Sequence, residues 1–358
     1  MKKIATLTFH RTTNYGALLQ ALALQKKLEM LGASTEIIDY RCSSIERRES
    51  VVVPAIEKNI YHYATEWKDY VLQKNKRSLI SDFAGKNLKI SEKSYTRKTI
   101  IDLNDKYDGF IVGSDMVWEL GITNGDFTYF LDFVCPRKRF SYAASIGVTE
   151  FPVQFRERAF DELKNFNRIS VRESSAQEYL GFNLKRKVSV DIDPTLLLDS
   201  NFWIKYEEVI SKYQSKKYIL LYFLDSEGIM IGQAIKMAHS CDAEIIVLSD
   251  IKETIEGCTV MSNVSVGGFL YLLHHAYLVI TGSFHGMVFS MNYNTNFMYF
   301  NRANSSRMQS IANLTGCSDR QITKDTIPSF ECDFSIINNR LELLRSMSTE
   351  YLQQIINN

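Results

Sequence analysis

A chain of 358 residues that is 45% hydrophobic and 23% charged has ordinary globular composition and enough length for two domains, each with its own core. Its 42 basic and 41 acidic residues leave a formal net charge of +1, a balance that gives no sign of a protein wrapping nucleic acid, so any positive potential must be local. No run approaches the roughly 18 apolar residues of a spanning helix, and Cys42, Cys135, Cys241, Cys258, Cys317 and Cys332 form no C-x-x-C and no Cys/His zinc spacing. Free thiols in a reducing compartment predict a cytoplasmic protein, with peripheral attachment at the inner face of a membrane left open.

The opening Met-Lys-Lys-Ile-Ala-Thr-Leu-Thr-Phe-His is broken at His10-Arg11 and has no small-residue cleavage site, so it reads as a first strand over Lys2 to Phe9 and not as a signal peptide. A turn at Thr12 to Gly16 leads into a helix over Ala17 to Leu31, with Gly32 at its C′ position, and Thr35 to Tyr40 is the next strand. This β-α-β opening predicts a parallel α/β sheet. Residues 43 to 100 are charged, aromatic and helix-prone, and read as an inserted helical region. Strands follow at Tyr107 to Asp115, Arg139 to Gly147, Arg168 to Ser175 and Val188 to Pro194, and Ser174 is placed to cap a helix running to Leu180. The first domain ends near residue 205.

After a lysine-rich linker, Tyr206 to Lys217, the α/β rhythm restarts with strand Tyr218 to Phe223 and helix Glu227 to Ser240. Strand Glu244 to Leu248, helix Gly268 to His275, and strands Leu278 to Ile280 and Phe297 to Phe300 come next, then an amphipathic helix over 333 to 358. The predicted architecture is two Rossmann-like domains, 1–205 and 206–358, facing a cleft, the second closed by the C-terminal helix.

Ligands in such sheets sit beyond the carboxyl ends of the strands. The loops at those ends offer Asn14, Tyr15, Asp115, Ser141, Tyr142, Arg172, Glu173, His285, Arg302 and Arg307, a set with several cations and few spare acids. Arg172 stands just before a helix start, and Arg302 and Arg307 flank Asn304-Ser305-Ser306, which looks like another helix cap. Guanidinium groups beside free helix N–H donors suit phosphate or carboxylate. Arg172 beside Glu173 reads equally well as a surface ion pair. In Thr281-Gly282-Ser283-Phe284-His285-Gly286 the histidine is held on a turn where an imidazole can act as acid or base. His274 and His275, on the preceding helix, read as structural. Asp115 fits a base, a sugar contact or a plain Asx-turn. Gly113-Ser114-Asp115 is followed by no Gly-Lys-Ser/Thr, and no G-x-G-x-x-G follows the first strand, so neither ATP nor nicotinamide chemistry is indicated.

These stretches resemble the polysaccharide pyruvyl transferase family, in order along most of the chain: Asn14 to Ala21 with Ile37 to Tyr40, Phe110 to Trp118, Tyr142 to Gly147, Val171-Arg172-Glu173, Asp193 to Leu198, and Thr281 to Gly286. The resemblance implies a fold like the GT-B glycosyltransferases and transfer of pyruvate from phosphoenolpyruvate, as a ketal, to a sugar of a bacterial surface polysaccharide, with no cofactor and no metal. It casts His285 and Asp115 as catalytic and Arg172 as donor-binding; the loops add Ser283, Arg302 and Arg307 as donor-binding candidates and Asn14, Tyr15, Tyr142 and Glu173 as acceptor-binding ones. The acceptor it implies is a sugar or a lipid-carrier-linked oligosaccharide. Ser283-Phe284 departs from branches that read Arg-Leu before the histidine. A glycosyltransferase using a nucleotide sugar, or a non-catalytic glycan-binding relative, would share the architecture.

Overall fold

The computed structural model describes residues 1–54, 60–222, 228–249, 255–301, 306–323 and 328–358, with backbone alone at 60–65, 228–231, 233 and 306. Strand β1 (Lys3–Leu7) leads to helix α1 (Tyr15–Met30), whose free N–H groups at Gly16 and Ala17 are capped by the Asn14 side chain. Gly32 ends α1 at φ +86°, where a side chain would be strained. Strand β2 (Ser34–Tyr40) is followed by α2 (Ser43–Arg48), α3 (Ile60–Asn87), β3 (Ile90–Tyr95) and β4 (Gly109–Gly113). Then come α4 (Leu120–Thr123), β5 (Arg139–Tyr142), α5 (Val153–Lys164), β6 (Ser170–Val171), α6 (Ser174–Leu184), β7 (Ser189–Val190) and α7 (Ser200–Ile204). The remainder is β8 (Tyr218–Tyr222), α8 (Gly228–Cys241), β9 (Glu244–Leu248), β10 (Thr259–Met261), α9 (Val266–His274), β11 (Leu278–Thr281), α10 (Phe284–Tyr293), β12 (Phe297–Tyr299), α11 (Ser306–Thr315) and α12 (Phe334–Asn357).

The first sheet runs β3-β2-β1-β4-β5 and the second β10-β9-β8-β11-β12, every pair parallel. Bridges Phe140–Arg168 and Ala144–Val171 extend the first sheet to β6, which pairs with β7. In each sheet the order reverses beside its first strand, between β1 and β4 and between β8 and β11, and a crevice opens there at the carboxyl ends.

Three expectations change. The inserted region is helical over Ser43–Arg48 and Ile60–Asn87 and then supplies β3, an edge strand whose polar Glu92, Lys93 and Ser94 are solvent-facing; polar residues on an edge conceal a strand from periodicity and protect it from further pairing. Helix α6 is headed by Glu173 and continues through Gly181 to Leu184. Ser174 is its first residue, its N–H and hydroxyl meeting the Ser310 hydroxyl at 3.0 and 3.2 Å. Nor does each half keep a private core: the largest apolar cluster runs from Leu18 and Leu22 of α1 through Trp203 and Phe269 to Phe289 and Leu352. That explains why α1 is buried around its whole circumference from Tyr15 to Gln25. Separate clusters cover the outer face of each sheet.

Helix α12 fastens the halves together. Its Ser348 Oγ accepts from the Ile192 N–H, the Tyr351 hydroxyl donates to Ser141 O, and Arg345 donates to Leu196 O and Asn292 Oδ1. None of the helices is long and apolar enough to cross a membrane among the described residues.

Candidate active site between the two sheets

Strand β11 ends at Thr281, whose hydroxyl donates to Tyr222 O at 2.8 Å and accepts the Ser283 N–H at 2.9 Å, fixing the turn to the neighbouring strand. Ser283 is the N-cap of α10, its hydroxyl 3.5 Å from the Gly286 N–H, so His285 lies inside the helix's first turn and not in the preceding loop. Its ring reaches across to the first turn of α1. A Cβ on Gly16 would fall 1.9 Å from His285 Nδ1 and 2.1 Å from Cγ, which no real contact permits. Gly16 is therefore required by approach of the imidazole. Gly16→Ala is expected to displace the ring and lower turnover by about a hundredfold, with a small change in Tm; steady-state kinetics with activity near that of the parent would show that the ring position is not critical.

From the first sheet, β6 delivers Arg172 and Glu173, β7 leads to Asp193, and β4 leads to Ser114 and Asp115. Asp193 is fully enclosed and ties the constellation together. Its Oδ2 accepts from Arg172 Nη1 at 2.7 Å and Ser114 Oγ at 3.2 Å and lies 3.7 Å from His285 Nε2. Its Oδ1 accepts from the Thr195 N–H and hydroxyl. Burial works to raise the Asp193 pKa, but the His285 ring, the Arg172 charge and the Thr195 N–H outweigh it and hold the carboxylate well below its usual range. At 3.7 Å the His285 contact is an ion-pair separation and not a hydrogen bond.

Arg172 is buried, its guanidinium centred 4.5 Å from the Phe284 ring, and its Nε is 3.7 Å from Glu173. Burial opposes its charge, but Asp193, Glu173 and Asp115 prevail and raise its pKa. Arg172 Nε and Nη2, both Glu173 carboxylate oxygens and His285 Nε2 are buried without hydrogen-bond partners among the described residues. Burial raises the Glu173 pKa against the pull of Arg172, Ser145 and Arg307. Unsatisfied buried donors and a carboxyl pushed toward neutrality are costly in a purely structural site and are expected of one that awaits a polar ligand.

The structure therefore brings together Arg172, Glu173 and His285, with Asp115 close enough to act on the Arg172 charge and Arg307 on that of Glu173. Asp115 stands at φ +70° with Oδ1 accepting the N–H of Met116, the next residue, one position short of the bond that defines an Asx-turn. Asn14 is occupied as the α1 cap at the exposed rim. Two expected acceptor contacts turn inward. Tyr15 donates to Val264 O at 2.6 Å and stacks on Phe269 at 4.5 Å, and Tyr142 is fully buried with its hydroxyl on Ile192 O. Arg302 and the Asn304-Ser305 cap lie outside the described residues. The set is also richer in acids than expected, because Asp193 and Glu173 both face Arg172. Asp193, Gly16 and Phe284 were missed as site residues; the Asp-Pro-Thr turn after β7 was the available signal.

A groove of about 220 Å³ that shares no residue with this constellation is lined by Thr13, in the turn before α1, and by Arg48, Glu49, Asp69, Lys76 and Asn263. A larger groove of about 950 Å³, around Lys27, Asp199 and Arg345, shares no residue with it.

Two parallel α/β sheets with polar side chains converging from their strand ends define a GT-B-like fold. Similar solved structures are UDP-GlcNAc 2-epimerase of Methanocaldococcus jannaschii in complex with UDP-GlcNAc and UDP (TM-score 0.51, 13% identity, 100% of this chain and 99% of that one) and S. aureus MnaA with UDP (TM-score 0.50, 15% identity, 98% and 91%). None of the curated proteins matches the chain in sequence. The family model for polysaccharide pyruvyl transferase matches residues 14–304, and the chain belongs to that family.

Proposed function

We propose that the chain transfers the pyruvyl group of phosphoenolpyruvate to two hydroxyls of a sugar in a bacterial surface polysaccharide or its precursor, forming a ketal and releasing phosphate. The observation that carries this reading is the pair of unsatisfied Arg172 N–H donors beside the unpartnered His285 Nε2, at the heads of α6 and α10. A donor with a phosphate and a carboxylate needs such donors, and helix N-termini add positive partial charge.

In the proposed sequence His285 delivers a proton to the enol methylene while a sugar hydroxyl bonds to the adjacent carbon and loses its proton to a base, for which Asp115 is our candidate. The carbon–oxygen bond to phosphate then breaks, and a second hydroxyl adds and loses its proton to close the ketal. Arg172 receives the charge that develops on the departing phosphate. Our candidate for the acceptor site is the groove at the turn before α1, whose lining includes Thr13, Arg48 and Lys76.

Incubation with phosphoenolpyruvate and a panel of acceptor glycans is expected to give acceptor-dependent phosphate release and a mass gain of one pyruvyl group. Arg172→Ala, which removes charge-assisted hydrogen bonds, is expected to raise the donor KM by about ten- to a hundredfold. A hexose gain from a nucleotide sugar overturns the reading, glycan binding without turnover marks a non-catalytic relative, and an unchanged donor KM removes Arg172 from its role.

A further inference from the structure

The segment that joins the two sheets carries Glu207, and the carboxyl end of α9 carries His274 and His275. These three side chains meet. Glu207 lies 2.8 Å from His274 Nδ1 and 3.2 Å from His275 Nε2, one carboxylate oxygen to each ring, and one ligand atom from each residue falls within 4.8 Å of the others. Phosphoenolpyruvate chemistry makes no use of them, and none belongs to the constellation around His285.

The surroundings orient the three groups. The His274 ring stacks on Tyr293 at 4.5 Å, the His275 ring packs on Tyr271 at 4.4 Å, and Thr295 Oγ1 bonds the His274 carbonyl. The Tyr293 hydroxyl is buried without a hydrogen-bond partner among the described residues. The α9 carboxyl end adds negative partial charge, which favours a cation there.

We propose that Glu207, His274 and His275 bind one Zn²⁺ ion, with water completing a tetrahedron, and that the ion bolts the inter-sheet segment to α9. Two imidazoles and a carboxylate are a zinc donor set, and bonds of about 2.0–2.1 Å place tetrahedral donor atoms about 3.3 Å apart. Glu207 stands at 2.8 and 3.2 Å from the two ring nitrogens, close to that spacing, and no pair of ligand atoms is more than 4.8 Å apart. Seated on the linker, the ion strengthens the joint between the halves and takes no part in transfer.

Untagged protein titrated with Zn²⁺ is expected to bind one equivalent saturably and to gain several degrees in Tm. Co²⁺ in its place is expected to give the visible absorption of a tetrahedral site. Glu207→Gln and His275→Ala are each expected to weaken Zn²⁺ binding at least tenfold and to abolish the Tm gain; His275 is 44% exposed, so its removal leaves the fold intact. Binding that is unsaturable, or equally tight in both variants, or a Co²⁺ complex without tetrahedral absorption, overturns the proposal.

Discussion

His285→Ala is expected to lower acceptor-dependent phosphate release about a hundred- to ten-thousandfold, the usual contribution of a positioned proton donor. The geometry explains why the loss should fall on turnover and not on folding. The ring is 92% buried, yet its Nε2 makes no hydrogen bond among the described residues, and its Nδ1 side faces the bare backbone of Gly16. Truncation therefore empties a space and breaks no hydrogen bond of the ring, while Asp193 keeps Arg172, Ser114 and Thr195 as partners. His285→Gln keeps much of the volume and cannot cycle a proton, so it should be as inactive as alanine while preserving Tm. Turnover by either variant near that of the parent removes His285 from the mechanism. A collapse of Tm in both would show that the ring is part of the core.

Asp193→Asn is expected to cost about 3–5 kcal/mol of stability, the range for breaking one side of a buried ion pair. The cost arises because Arg172 stays behind, 4% exposed and stripped of the anion that neutralised it. An asparagine oxygen can still accept from Thr195, so the turn survives while the charge balance does not. The pH dependence follows from the sign of the shift. The folded-state pKa of Asp193 is depressed, so its contribution is fully present above the unfolded value of about 4 and is lost as pH falls below it toward the folded value. Glu173 has the opposite sign: its raised folded pKa means that burying its charge costs stability as pH rises past the unfolded carboxyl value. Melting temperatures from pH 3 to 7 should show a steeper acid loss in the parent than in Asp193→Asn. Parallel curves with equal midpoints would show that the carboxylate carries no such energy.

Much of this architecture could be read from the apolar runs of inner strands such as β4, β8, β9 and β11, with Gly113-Ser114-Asp115 and Gly282-Ser283 marking the exits of β4 and β11. What escaped were the edge strands β3 and β10, which are polar or only half-buried and pair on one side. At the site, loop position groups Arg172, Glu173 and His285, which the fold does bring together, but it overvalues polarity. Tyr15 and Tyr142 sit at strand ends as a ligand contact would, yet each hydroxyl is satisfied by a buried carbonyl, a partner that only the tertiary fold supplies. Asp193 was passed over for the converse reason. Locally it is an ordinary cap of a single turn, and its second oxygen gains meaning only when β6 and α10 bring Arg172 and His285 beside it.

Helix α12 bears on how the molecule is made. Domains tend to fold in the order in which they leave the ribosome, and the first sheet is complete once residues up to 190 have emerged. Yet the Ser141 carbonyl and the Ile192 N–H beside it find their partners on Tyr351 and Ser348, which are synthesised last. Until then the first half must wait with part of its shared apolar surface bare. Nascent chains halted before residue 334 should accordingly be captured by chaperones and cleaved by proteases far more readily than the finished protein.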